Sequence, residues 1–277
     1  MRFVAALLSW LITTTMLTVA VPTTWAQKNL VDVNGYAALA QRAASDPALQ
    51  TAAAAELTTQ AKRLIRARGY DVDPALVRGV ASAYTAGPSF PPQFAQANRA
   101  VHRWMFTGNG SDSWAIDVVP MLNDNAFREL LSSFDVRMPS TLTVPVTVSA
   151  PEWLRPGQLR PLTTWGRWVS LGATVLTGVC ALLTLAAARR RGKALTGLGV
   201  SALLVGAGGW AGIEVAHRYI NDTLNHTTGD IRQIADVMVS HAVGSMHQWL
   251  DLTLAAGGVL VVFGVMVAML GGLRRSG

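Results

Sequence analysis

The chain has 277 residues, of which 51% are hydrophobic and 14% charged, and its net charge is +7. A basic balance of this kind is usual for nucleic-acid-binding proteins. Here, however, seven basic residues and no acidic residue lie in three short segments, residues 1–2, 188–193 and 274–277, and the rest of the chain is neutral overall. The single cysteine, Cys180, excludes an intrachain disulfide.

The first apolar run, residues 3–21, is long enough to cross a membrane. We predict that residues 1–25 form an uncleaved transmembrane anchor, with Trp25 at the membrane surface. The alternative is a signal peptide cleaved after Ala26, because the small residue Ala26 follows the helix breaker Pro22 at a suitable distance. Either outcome exports the segment that follows.

Residues 26–164 are predicted to form an extracytoplasmic domain that is mainly helical with a minor β ribbon. Helices should start at Asp46-Pro47 and Asp73-Pro74, since aspartate caps free N–H groups and proline suits the first helical turn. Gly69 and Gly87 are predicted to end these helices in the left-handed conformation. Further helices are predicted over residues 36–45, 92–106 and 127–134, and strands over residues 114–119 and 142–148.

Three further apolar runs, residues 168–187, 194–213 and 252–273, contain no charged residue and are each long enough to span a membrane. Lysine and arginine near short loops stay on the cytoplasmic side. The sequence therefore predicts a mainly α membrane protein with four transmembrane helices and both termini in the cytoplasm. Residues 26–164 and 214–251 are then extracytoplasmic, and residues 188–193 form a cytoplasmic turn.

The third span also carries small residues in pairs four apart, Ala202 with Gly206 and Gly208 with Gly212. Such pairs allow close packing of membrane helices. No ionisable residue lies within any of the four apolar runs. This argues against a pump or proton-coupled transporter, which needs charged groups in the membrane.

Residues 165–277 are predicted to contain three transmembrane helices. Before the last of these, an extracytoplasmic amphipathic helix is predicted at about 230–250. Its apolar residues recur at steps of three and four and so fall on one stripe. We predict that this stripe lies on the outer leaflet or caps the exported domain. The predicted interface residues are Ile231, Ile234, Met238, Met246 and Trp249.

Histidines and carboxylates are concentrated in residues 214–251, which is how a metal site at a membrane surface would begin. The candidate ligands are Glu214, His217, His226, His241 and His247. Glu214 and His217 have the spacing found in carboxylate–histidine sites of helix bundles. His241 and His247 lie about 120° apart around a helix, so they cannot share a metal. A structural role is therefore favoured, with a metal- or pH-responsive sensor as the alternative.

Catalytic signatures are missing from the exported segment. Its only histidine, His102, lies in a helical stretch typical of structural histidines, and a nucleophile needs a base within reach. The serines form no G-x-S-x-G elbow, and no glycine-rich loop follows a strand. Residues 107–113 resemble a calcium loop only in part, because the remaining acidic ligands are missing. The chain is predicted to be no enzyme and to need no cofactor.

The passage WAQKNLVD at residues 25–32, then Tyr36 and Leu39, then ASDPALQTAAA at residues 44–54, directly follows the first span. This arrangement resembles a family of multi-pass integral membrane proteins from high-GC, actinobacterial-type bacteria that has no assigned function. The resemblance implies four spans and an uncleaved first helix, and it supplies no catalytic residue.

Together these features predict a non-enzymatic integral membrane protein of the cell envelope. Its extracytoplasmic domain would dock a partner or bind a lipidic ligand. The expected partners are the lipid bilayer and a membrane or envelope protein, with no nucleic acid.

Overall fold

The computed structural model describes residues 2–107, 115–135, 142–145, 159–188, 190–224 and 229–273. Within these ranges the chain is almost entirely helical. In chain order the helices and strands are α1 (Arg2–Ala26) with a π-helical extension (Gln27–Val31), α2 (Val33–Ala43), α3 (Pro47–Arg66), α4 (Pro74–Thr85), α5 (Phe90–Thr107), β1 (Ala115–Asp117), α6 (Val119–Leu122), α7 (Asn125–Ser132), β2 (Thr143–Pro145), α8 (Arg160–Ala187), α9 (Arg191–Leu224) and α10 (Asp230–Leu273).

The chain divides into two compact units. The first, here called the membrane unit, contains Met1–Lys28, Thr164–Arg218 and Val243–Gly277. The second, here called the helical domain, contains Asn29–Thr163 and Tyr219–Ala242. Helix α10 contributes residues 230–242 to the helical domain and residues 243–273 to the membrane unit.

Four helices of the described residues are long and apolar enough to cross a membrane. They cover Leu7–Val31, Arg160–Ala187, Arg191–Ile220 and Asp230–Leu270. Large apolar side chains such as Leu182, Val259 and Met269 are exposed on these helices, as expected for surfaces that face lipid. The four apolar helices predicted from the sequence are confirmed, and they indicate a multi-pass membrane protein.

In the membrane unit, α9 and α10 pack antiparallel along five glycines, here called the glycine seam: Gly192, Gly199, Gly206, Gly257 and Gly264. A Cβ added to Gly199 would lie 2.6 Å from the Gly257 carbonyl oxygen, and one added to Gly264 would lie 2.5 Å from the Thr196 amide nitrogen. Neighbours in the seam on one helix are seven residues apart, which keeps them on one face. The two backbones therefore approach more closely than any larger side chain would permit.

Helix α1 is joined to the other membrane helices by side-chain hydrogen bonds. The Trp10 indole donates to the Gly197 carbonyl at 2.9 Å, and the Thr14 hydroxyl lies 2.8 Å from that of Ser201. The Ser9 hydroxyl donates to the Cys180 carbonyl at 3.0 Å. Such bonds satisfy polar groups that would otherwise meet hydrocarbon.

The helical domain begins its helices at aspartates, as the sequence predicts. The Asp46 carboxylate accepts from the Ala48 amide and the Asp73 carboxylate from the Ala75 amide, each at 2.8 Å. Asp32 and Asp124 cap α2 and α7 in the same way. Each bond satisfies a donor that has no partner within its helix.

The core of the helical domain lies between α2, α3, α4, α5 and α7. Its fully buried large side chains include Leu49, Ile65, Val77, Phe90 and Phe127. Tyr84 packs edge-on against both Phe90 and Phe127, with ring centroids 5.7 and 5.5 Å apart. Strand β1 pairs antiparallel with β2, and Ile116 lies opposite Val144.

Three local predictions differ from the structure. Gly69 is left-handed, with φ 84°, but Gly87 is not; Pro88, directly after it, is a residue that cannot continue a helix interior. Gly208 and Gly212 do not pack closely against another described helix of the chain, since none of its described atoms lies within 4 Å of a Cβ added to either. Finally, the amphipathic stretch and the last span are one continuous helix, α10, rather than two.

Candidate functional site

The apolar stripe predicted over residues 230–250 is shared between the two units. Ile231, Ile234 and Met238 are partly buried against the core of the helical domain, together with Val237. This part of the stripe is therefore used within the chain.

The other two predicted interface residues belong to the membrane unit. Met246 is buried and lines a groove between α1, α9 and α10. The Lys28 ammonium lies 5.8 Å from the centre of the Trp249 ring, within the range of a cation–π interaction. The Trp25 indole donates to the Ser245 hydroxyl at 3.3 Å, so both tryptophans are held by other parts of the membrane unit.

Within each unit, the candidate metal ligands that the structure describes form no common site. In the helical domain, His241 Nε2 lies 4.0 Å from the Asp46 carboxylate. In the membrane unit, His247 stacks on Trp210 with ring centroids 3.8 Å apart, and Glu214 lies 4.0 Å from Arg218. Among the residues that the structure describes, no three histidine, cysteine, aspartate or glutamate side chains could hold one metal ion. His226 and the loop of residues 108–113 lie outside these residues.

His102 is a buried structural histidine of the helical domain, with 4% of its surface exposed. Its Nε2 atom lies 3.0 Å from the Leu30 carbonyl oxygen, and its ring stacks on Phe106 at 4.3 Å. Burial lowers the pKa of His102 from its usual 6.5, and the nearby carbonyls of Leu30 and Val31 only partly oppose that shift. The arrangement fixes α5 to the segment before α2.

The lowered pKa predicts that acid destabilises the helical domain. The unfolded chain takes up a proton near pH 6.5, whereas the folded chain resists it to a lower pH. The stability linked to His102 is therefore complete above pH 6.5 and is lost as the pH falls toward the folded pKa. Thermal unfolding at pH 7.5 and pH 5 should show a smaller acid loss in His102→Gln than in the unsubstituted chain. His217→Gln should keep the full loss, and an unchanged profile in His102→Gln would contradict the assignment.

A basic surface lies where the end of α3 meets the start of α4. It consists of five cationic residues and two exposed apolar ones: Lys62, Arg63, Arg66, Arg68, Arg78, Tyr70 and Leu76. Tyr70 is 48% exposed and Leu76 is 51% exposed. The two acidic residues of this segment, Asp71 and Asp73, leave residues 62–78 with a net charge of +3. The Arg66–Asp71 pair is 4.0 Å apart and open to solvent, so it neutralises little of this charge.

Exposed tyrosine and arginine side chains within one short segment are a feature of protein interfaces, where these two residue types contribute much of the binding energy. The sequence does indicate this surface, because four cationic residues lie within residues 62–68. The domain as a whole is nearly neutral, and this average conceals the local excess.

The structure adds the exposure of the apolar side chains, which the sequence does not reveal. The sequence alone does not show that Tyr70 and Leu76 stay outside the core while Val72 and Val77 enter it.

The chain matches no protein-family model, no curated protein and no solved structure.

Proposed function

We propose that this chain is a non-enzymatic membrane protein of the cell envelope, whose helical domain is extracytoplasmic and docks a protein partner through the basic surface. The observation that carries the proposal is the exposure of Tyr70 and Leu76 among five cationic side chains. Tyrosine and arginine are enriched at protein interfaces relative to the rest of a protein surface. The surrounding charge favours a partner with an acidic surface and speeds its approach.

Two features of the fold support a chain that presents the helical domain to a partner at the membrane. The helical domain has its own buried core, which α10 completes with Ile231, Ile234 and Met238. The chain enters the domain from α1 and leaves it into α8, both of which are long enough to span a membrane. A domain tethered on both sides stays at the membrane surface, where an envelope partner is concentrated.

The hydrogen bonds of α1 support its retention as an anchor. Trp10, Thr14 and Ser9 bond to α8 and α9, so cleavage after Ala26 would leave their partners without these contacts. In the proposed arrangement both termini and the turn between α8 and α9 are cytoplasmic, because the excess basic residues lie there.

Photocrosslinking in native membranes tests the docking role. A photoreactive phenylalanine analogue replaces Tyr70 in one full-length variant and Thr51 in a control variant. Both side chains are accessible; Thr51 lies near the start of α3, whereas Tyr70 follows its end, and the length of the helix separates them by roughly 20 Å. We expect a discrete protein adduct from position 70 and none from position 51.

The charge of the surface provides the second arm of this test. The adduct at position 70 should be lost when Arg68→Glu and Arg78→Glu are combined, because charge reversal repels an acidic partner. An adduct that survives this reversal, or an adduct with lipid alone, would contradict docking of an acidic protein at the basic surface.

A further inference from the structure

The membrane unit contains a groove of about 420 Å³ between α1, α9 and α10. Its lining includes Thr14, Thr18, Leu204, Gly208, Gly212 and Ala216. From Leu204 to Ala216 the groove follows α9 over twelve residue steps, which is about 18 Å along a helix. The groove is therefore elongated and runs along a membrane-spanning helix.

The lining offers apolar surface and open space. The Thr14 and Thr18 hydroxyls donate to the carbonyls of Trp10 and Thr14, each at 3.0 Å, so these donors are already used within α1. Nothing lies within 4 Å of a Cβ added to Gly208 or Gly212, in contrast to the glycine seam. These two glycines leave room for a ligand within the groove.

The length and lining of the groove suit a hydrocarbon chain. Its volume of about 420 Å³ is within the range of ligand sites, which commonly lie between the helices of bundles. Its walls are mainly apolar and follow a membrane-spanning helix for about 18 Å, so an extended acyl chain can lie along them.

The two ends of the groove differ in polarity. Leu204 lies within the apolar part of α9, whereas Ala216 is followed at once by His217 and Arg218. A membrane lipid has the same polarity, with its tail toward the bilayer centre and its headgroup at the surface. We propose that the groove binds one acyl chain of a membrane phospholipid, with the glycerol and headgroup at the Ile213–Ala216 end. This proposal concerns the membrane unit and is independent of the docking role.

Native mass spectrometry of the detergent-purified full chain tests the proposal. The probe is phosphatidylglycerol with two 16-carbon chains, and a parallel arm uses free palmitate. Gly208→Leu and Gly212→Leu place a side chain in the groove, where the open space should leave the fold intact. Gly258→Leu is the matched control, because that glycine is also open but does not line the groove.

We expect one phosphatidylglycerol per chain in the unsubstituted protein and in Gly258→Leu. Each groove variant should lose about tenfold or more of this binding, which corresponds to at least about 1.4 kcal/mol, at an unchanged melting temperature. Equal binding in all four proteins would overturn the proposal. Binding of palmitate without phosphatidylglycerol would also overturn it, because the ligand would then be a free fatty acid.

Discussion

Replacing Gly257 by leucine is expected to destabilise the membrane unit by about 3 kcal/mol or more, at the upper end of measured overpacking costs. A Cβ at this position would lie 2.9 Å from the Gly199 carbonyl oxygen and 3.0 Å from the Leu203 amide nitrogen. These are backbone atoms that cannot rotate away, so α9 and α10 must separate along the glycine seam. Within the bilayer no hydrophobic effect drives helices together, so their association depends on close packing contacts. Separation of α9 and α10 removes those contacts.

The adjacent Gly258 provides the matched control. Nothing lies within 4 Å of a Cβ added there, so Gly258→Leu should unfold close to the temperature of the unsubstituted chain. Unfolding can be followed by the reaction of a thiol probe with Cys180, which is the only cysteine and is buried in α8. If Gly257→Leu and Gly258→Leu unfold at the same temperature, the close approach of α9 and α10 is wrong.

Replacing Met238 by aspartate is expected to destabilise the helical domain by roughly 2 kcal/mol or more, because a charge would be placed against an apolar core. Met238 packs on that core beside Ile234 and Val237. Ser240→Asp introduces the same charge two residues further on, at an exposed position of α10, and should change stability little.

Hydrogen exchange of the full chain measures this difference within the domain. In Met238→Asp, amides of α3 and α4 should exchange faster than in the unsubstituted chain, because the loss of α10 opens the core. In Ser240→Asp they should not. Equal protection in the two variants would mean that the stripe of α10 does not stabilise the helical domain.

The sequence predicted features whose cause is local. The Asp46 and Asp73 caps depend on one carboxylate and an amide two residues away, and both form as predicted. The apolar runs are similarly local, since about twenty uncharged residues suffice to indicate a span. The ends of the helices were harder to predict. Hydropathy indicates which residues can lie in lipid and does not show where a helix ends, and α9 continues past the apolar run to Leu224.

Features that depend on a second part of the chain were predicted only in part. Of the two pairs of small residues predicted to pack closely, Ala202 and Gly206 do lie against α10, whereas Gly208 and Gly212 do not. The glycine seam recurs at steps of seven on both helices, and its role becomes clear only when α9 and α10 are placed side by side. The open groove lined by Gly208 and Gly212 likewise depends on three helices that are distant in sequence.

The stripe of α10 shows the same division. Periodicity correctly grouped Ile231, Ile234 and Met238 on one face but left two surfaces open for them, the outer leaflet and the exported domain. The structure shows that they pack against the core of the helical domain. His241 and His247 were predicted to lie on different sides of the helix, and their contacts with Asp46 and Trp210 are indeed separate.

The side of the membrane on which the helical domain lies is the most direct test of the proposed function. In a chain with Cys180→Ala, single cysteines are introduced by Thr51→Cys in the domain and by Ala188→Cys in the turn after α8, which preserves every basic residue. Intact cells are treated with a maleimide that does not cross membranes. We predict that position 51 is labelled in intact cells and position 188 only after permeabilisation. Labelling of position 188 in intact cells, with position 51 protected, would contradict an exported docking domain.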